Sequence, residues 1–108
     1  MGTPQLEDDG QIVTLDLHGA TVDEAIDLTY NTLRLARQRG RSRLKLVHGS
    51  STTAPGKRTI KTALHGLLDR GELGTHATNI IRSQNTLVLA LDLTVSTDDT
   101  RIRLRDVQ

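Results

Sequence analysis

The sequence contains no cysteine, tryptophan or phenylalanine, and its one aromatic residue is Tyr30. Without cysteine there is no disulfide framework, no thiolate zinc site and no thiol nucleophile. A single aromatic argues against modules that stack successive bases on Phe, Tyr or Trp. No apolar run approaches the roughly 18 residues of a membrane-spanning helix, and the N-terminus lacks a charged-then-apolar leader pattern, so a cytoplasmic protein without membrane association is expected. Large net charge is also missing: 14 Lys and Arg against 13 Asp and Glu give +1 over 108 residues. That length suits one domain.

The small total conceals a split. Residues 1–33 hold seven acids and no Lys or Arg, whereas residues 34–82 hold eleven Lys or Arg and two acids. Arg34 to Lys45 alone carries six cations and no acid. A neutral total is therefore compatible with one strongly basic surface.

Hydrophobic periodicity divides the chain into three parts. Residues 1–11 are polar and punctuated by Gly and Pro, which reads as a disordered tail. Residues 12–93 form the domain. Val13, Leu15 and Leu17 alternate with Thr14, Asp16 and His18, the pattern of a half-buried strand. Thr21 with Glu24 is a capping box that opens a helix ending near Gly40. Leu44 to Val47 is a second strand, and His48 to Gly56 a loop of small residues. A second helix extends from about Lys57 to Gly71. Residues 78–82 and 86–93 complete the domain as strands around a Gln84-Asn85 turn. Residues 94–108 form a C-terminal extension in which alternation over 100–105 marks an extra edge strand. Short alternation of strands and helices predicts a two-layer α/β sandwich with helices on one face of a mixed sheet. The other face, carrying Asp16, His18, Lys45 and Val47, is a candidate binding surface.

Three features carry chemistry. Asp16 and His18 share one strand face about 7 Å apart, near a strand end. There a carboxylate orients an imidazole and the imidazole moves a proton. The structural alternative is a solvated strand residue and a turn histidine. The His48–Gly56 loop, with Gly49, Ser50 and Ser51, precedes a helix whose first turns carry Lys57, Arg58 and Lys61. Cations oppose the dipole at that end, so a phosphate is a natural partner; a flexible polar loop with solvated cations is the other reading. Arg34, Arg37 and Arg41, beside Arg43 and Lys45 on the following strand, read as phosphate contacts or as a solvated helix face. Arg101, Arg103 and Arg105 read best as charge guarding an edge. His65 and His76 have no partner pattern. Asp16, His18 and His48 form no metal-ligand spacing, so the residues give no support to a divalent cofactor.

Leu15-Asp16-Leu17-His18-Gly19, followed by Thr21-Val22-Asp23-Glu24-Ala25, resembles the opening signature of the Smr (small MutS-related) domain family. Leu46-Val47-His48-Gly49 resembles its second signature, a Thr or His followed by Gly-x-Gly. Gly56 to Lys61 with Ala63-Leu64 resembles the helix that follows, and Leu87 to Leu93 falls where the family's last strand lies. The resemblance covers about residues 12–93. It implies a βαβαββ fold with a mixed four-stranded sheet, similar to the C-terminal domain of translation initiation factor three. It also implies nucleic-acid binding, with DNA or RNA nicking or hydrolysis in several members, in DNA repair, recombination or RNA cleavage, some at collided ribosomes. Carried over residue by residue, cleavage falls to Asp16, His18 and His48, and substrate contact to Gly49 and its loop. The second Gly of the loop signature is Ser51 here, and Ser83-Gln84-Asn85 replaces a Gly-rich segment before the last strand. Those replacements leave a second expectation open, a non-catalytic nucleic-acid- or ribosome-binding module; a protein-interaction domain is a third. A monomer or weak oligomer is expected.

Overall fold

A computed structural model describes residues 4–48, 59–71, 77–91 and 100–108. The elements are β1 (Gln5–Asp8), β2 (Ile12–Asp16), α1 (Val22–Gln38), β3 (Arg43–Val47), α2 (Ile60–Asp69), β4 (Ala77–Arg82), β5 (Thr86–Leu91) and α3 (Leu104–Val107). One five-stranded sheet has the order β1-β2-β3-β5-β4. β2 and β3 are parallel and joined through α1, while β1–β2, β3–β5 and β4–β5 are antiparallel. The expected mixed βαβαββ sheet is therefore present from β2 to β5. Among the described residues, no helix is long and apolar enough to cross a membrane.

The alternation of leucines decides which face is covered. Val13 pairs with Leu44, Leu15 with Leu46, Leu44 with Leu89 and Leu46 with Leu87, and all are fully buried. Ala25, Leu28, Leu33 and Ala36 of α1 and Leu64, Leu67 and Leu68 of α2 close over them in one cluster. At about 25 cal/mol per Å² of apolar surface, each fully buried leucine contributes roughly 2 kcal/mol. Thr14, Asp16, Lys45, Val47, Thr86 and Val88 alternate with these residues on the opposite face and keep partial solvent access. α1 begins at the capping box expected from sequence: Thr21 Oγ1 accepts from Glu24 N, and Glu24 Oε1 accepts from Thr21 N. α2 opens on a second box built from Thr59 and Thr62.

Two expectations at the termini are corrected. Residues 5–8 lie within the tail predicted to be disordered, yet they form the edge strand β1, registered Gln5 to Asp16 through Asp8 to Val13. The turn into β2 uses Gly10 at φ 99° and the Asp9 carboxylate, which accepts from the N–H groups of Gln11 and Ile12. At the other end, residues 100–105 do not make a strand. Ile102 is buried, and Leu104 to Val107 turn into a short helix whose Asp106 carboxylate accepts from Arg103 N. Leu104 and Val107 are three apart, so a helix turns both towards α1 and β1, and Val107 is fully buried. The fifth strand of the sheet thus comes from the N-terminal side. Residues 94–99 of the predicted extension lie outside the described residues.

The buried Asp8–Arg41 ion pair joins these termini to the core. Arg41 Nε donates to Asp8 Oδ1 at 2.8 Å, with side-chain exposures of 1% and 0%. The other guanidinium nitrogens donate to the carbonyls of Arg39 at 2.9 Å and Thr100 at 2.8 Å. Asp8 also accepts from the backbone N–H of Ile102 at 2.7 Å and of Gly10 at 2.9 Å. Burial alone pushes the Asp8 carboxyl up; the Arg41 hydrogen bond, the two N–H donors and the Arg41 charge outweigh it and hold the carboxyl below its ordinary value. The pair contributes stability above that ordinary value, and the contribution is lost as pH falls through the depressed one. Removing one member strands the other charge in the interior, at a cost of about 3–5 kcal/mol. Asp8→Ala should therefore lower stability in urea denaturation by about 3 kcal/mol at neutral pH, with the deficit shrinking in acid. Asp69→Ala, which breaks the exposed 3.4 Å pair with Arg82, should change it by less than about 1 kcal/mol.

Candidate functional site

The parallel pairing of β2 and β3 brings both sequence signatures to one end of the sheet. Asp16 is the last residue of β2 and stands opposite Val47, the last residue of β3. The strands stay connected one residue further, through Leu17 N to Val47 O at 3.0 Å. His48 then leaves β3 with its N–H donating to the carbonyl of Asn85, in the β4–β5 turn, at 2.9 Å. Three chain turns thus meet where the two parallel strands end, the side of an open α/β sheet where ligands are commonly bound.

Asp16 and His18 are in direct contact, closer than a continuing strand would place them. β2 stops at Asp16, and Gly19 adopts φ 85°, which turns the chain towards the Thr21 cap. The Asp16 carboxylate accepts from the backbone N–H of His18 at 3.0 Å and from its ring Nδ1 at 2.5 Å. An ionised carboxylate has no proton to give, so Nδ1 carries the hydrogen, and in the neutral tautomer this contact selects Nε2 keeps its lone pair. The side chains are 58% and 37% exposed for His18 and Asp16. The result is an oriented imidazole whose basic nitrogen is left for a ligand, held by an Asx turn that the two-residue spacing makes available. Beside it, a shallow concavity of about 410 Å³ is lined by Gln5, Glu7, Thr14, Asp16 and Val47.

The other expected site residues are distributed unevenly. Lys45 is half-buried and Arg43 exposed on the outer face, in the rows Thr14–Lys45–Val88 and Ile12–Arg43–Ala90. Arg34 and Arg37 do not join them. They sit on α1, which packs on the opposite, inner face of the sheet. Arg41 is enclosed by Asp8 and two carbonyls, so it is a structural cation and not a phosphate contact. Lys61 lies in the first turn of α2 and is half-buried. Gly49, Ser50, Ser51, Lys57 and Arg58 lie outside the described residues.

His48, expected to share catalysis with Asp16 and His18, is 6% exposed. Its ring meets that of His65 edge-on, with centroids 5.9 Å apart. His65 carries no partner pattern in the sequence. His65 lies seventeen positions after His48, and no spacing signal links them; only tertiary packing does so. The His65 pKa is lowered from 6.5, first by burial and then by the positive fields of Arg82, His48 and Lys61, which outweigh Asp69. Among the described residues, no group of three or more His, Asp or Glu is placed to hold a metal ion.

Together these features define the chain as a two-layer α/β domain with an oriented carboxylate–imidazole pair at the ends of its parallel strands. The sequence model of the Smr domain matches residues 15–83, and the chain belongs to that family, one associated with nucleic-acid binding and endonuclease activity. The fold is similar to the crystal structure of the Smr domain of Thermus thermophilus MutS2, at 26% identity and a TM-score of 0.55, covering 76% of this chain and 98% of that one. Among curated proteins none matches this chain.

A histidine whose pKa is lowered on folding favours the native state above 6.5 and destabilises it as pH falls through that range. NMR titration should therefore place the His65 midpoint below that of a free imidazole. His65→Gln should flatten the loss of stability between neutral pH and pH about 5.

Proposed function

We propose that this Smr domain is an endonuclease that binds DNA or RNA through the phosphate backbone and hydrolyses or nicks phosphodiester bonds at the Asp16–His18 pair. The observation that carries this reading is the hydrogen bond from His18 Nδ1 to Asp16 Oδ1, with His18 open to solvent. His18 Nε2 acts as general base, taking a proton from water as its oxygen attacks phosphorus; the leaving oxygen is protonated from solvent. Asp16 orients the ring and stabilises the imidazolium that forms. Lys45 and Arg43 neutralise phosphates across the outer face. His48 is a positioning residue directly before residues 49–58, of which Gly49, Ser50, Ser51, Lys57 and Arg58 contact the substrate together with Lys61. With one aromatic residue in the chain, binding runs through phosphates and groove shape with little base stacking.

The second reading, a nucleic-acid- or ribosome-binding module without turnover, is favoured by Ser51 in place of Gly in the loop signature. A residue with a Cβ in a phosphate-cradling loop hinders close backbone approach.

The deciding experiment is cleavage of supercoiled plasmid and of structured RNA by the purified protein, with magnesium and with chelator. His18→Ala should reduce the rate by about 10²–10⁴-fold, the range of a general acid–base group. Asp16→Asn should reduce it less, because the amide oxygen still accepts from Nδ1. Lys45→Ala should weaken binding across sequences and lower the salt slope by about 1. Cleavage unchanged in His18→Ala removes His18 from the mechanism. Salt-steep binding with no cleavage in either condition selects the module without turnover.

A further inference from the structure

α1 carries two arginines that neither the core nor the Asp16–His18 end accounts for. Among the described residues, the side chains of Arg34 and Arg37 make no ion pair and no hydrogen bond. Arg37 Nε is buried without an acceptor. Withdrawing a cationic donor from water with nothing to receive its proton is unfavourable, so packing alone gives no reason for an arginine at this position. Arg34 and Arg37 are three residues apart and Tyr30 is one turn earlier, so the three share a helix face. With Asn31 and Leu33 they line a concavity of about 360 Å³, inside the ~300–1,000 Å³ range of small-ligand pockets.

We infer that this concavity is a nucleotide pocket: Arg34 and Arg37 take a phosphate monoester and Tyr30 takes the base. Each part of the ligand has a matching group. Two guanidiniums three residues apart supply several N–H donors to one phosphate. An aromatic ring offers a stacking surface to any base. Asn31 donates Nδ2 to the carbonyl of Val107 at 2.8 Å, which points its amide oxygen elsewhere as an acceptor for an amine of the base.

Charge sets the direction in which the ligand lies. Tyr30 and Asn31 also line a neighbouring concavity of about 400 Å³, whose wall carries Glu24 and Asp27. A phosphate chain extending past Tyr30 would meet these carboxylates. The occupant is therefore a free mononucleotide or the terminal nucleotide of a strand, with its phosphate at the arginine end. The pocket is separate from the Asp16–His18 pair: Arg34 lies twelve residues beyond the start of α1, roughly 18 Å along the helix axis.

Tyr30 is the only Tyr, Phe or Trp in the chain, so its ring NMR resonances report on this pocket without assignment ambiguity. The wild-type protein is titrated with adenosine monophosphate and, in parallel, with adenosine. The monophosphate should shift the Tyr30 ring protons in a saturable way, and adenosine should do so far more weakly. Arg37→Gln and Arg34→Gln, checked for unchanged circular dichroism, should each raise the dissociation constant about tenfold, the loss of one charge-assisted contact. Competition by an oligonucleotide with a 5′-phosphate, but not by its 5′-hydroxyl twin, identifies the strand terminus as the source; absence of competition identifies the free nucleotide. A Tyr30 ring that does not respond, responds equally to adenosine, or responds unchanged in both variants overturns the pocket. None of these readouts depends on strand cleavage, so failure here leaves the endonuclease reading intact, and the reverse also holds.

Discussion

The parallel, in-register pairing of β2 with β3 is the constraint on which the rest depends. It sets Asp16 opposite Val47, so the two short signatures, about thirty residues apart in the chain, finish at the same end of the sheet. Parallel neighbours need a crossover, and α1 supplies it, bringing an amphipathic helix over the inner leucines. A slip of β3 by one residue would turn Leu44 and Leu46 to solvent and bury Lys45. The same alternation that fills the core therefore fixes which face is left open, and with it the position of the carboxylate that orients His18. Core packing and site geometry are consequences of one register.

The acidic head and the basic middle of the chain prove to be partly internal partners. Asp8 from the head encloses Arg41 from the middle, and Ile102 and Thr100 from the C-terminal segment complete the cage. A buried ion pair of this kind is weak evidence for net stability. Its value here is topological, since it fixes β1 and the 100–103 segment against the turn between α1 and β3. Four other cations of the 34–45 stretch divide between two surfaces. Arg43 and Lys45 project from the open sheet face, while Arg34 and Arg37 stand on the helix layer. One continuous basic surface, as the sequence implies, becomes two smaller ones on opposite sides of the domain.

Much of the fold was legible because it rests on local patterns. The leucine alternation of β2, β3 and β5 and the Thr21–Glu24 capping box act within a few residues of themselves. β1 was not legible in the same way. Leu6 is the lone apolar residue of Gln5–Asp8, and the strand is held by backbone pairing to β2 and by a cation 33 residues away. The Asp9-Gly10 pair is the one local hairpin signal in this segment. At the other end, Ile102 and Leu104 alternate like a strand, while Leu104 and Val107 keep helical spacing, and packing on α1 selects the helix. Within the site, Asp16 and His18 were readable from spacing, although the Asx turn brings them closer than strand geometry implies. The burial of His48 against His65 depends on tertiary packing alone, and Arg41 is indistinguishable in sequence from its exposed neighbours.

Backbone chemical-shift mapping of the isotope-labelled protein with a structured RNA and with duplex DNA tests most directly whether the ends of the parallel strands are where nucleic acid is held. The largest salt-sensitive shifts are predicted at Asp16, His18, His48 and Lys45, around the end of the sheet where β2 and β3 finish. Binding that leaves these residues unshifted and perturbs only the helix layer would contradict that assignment.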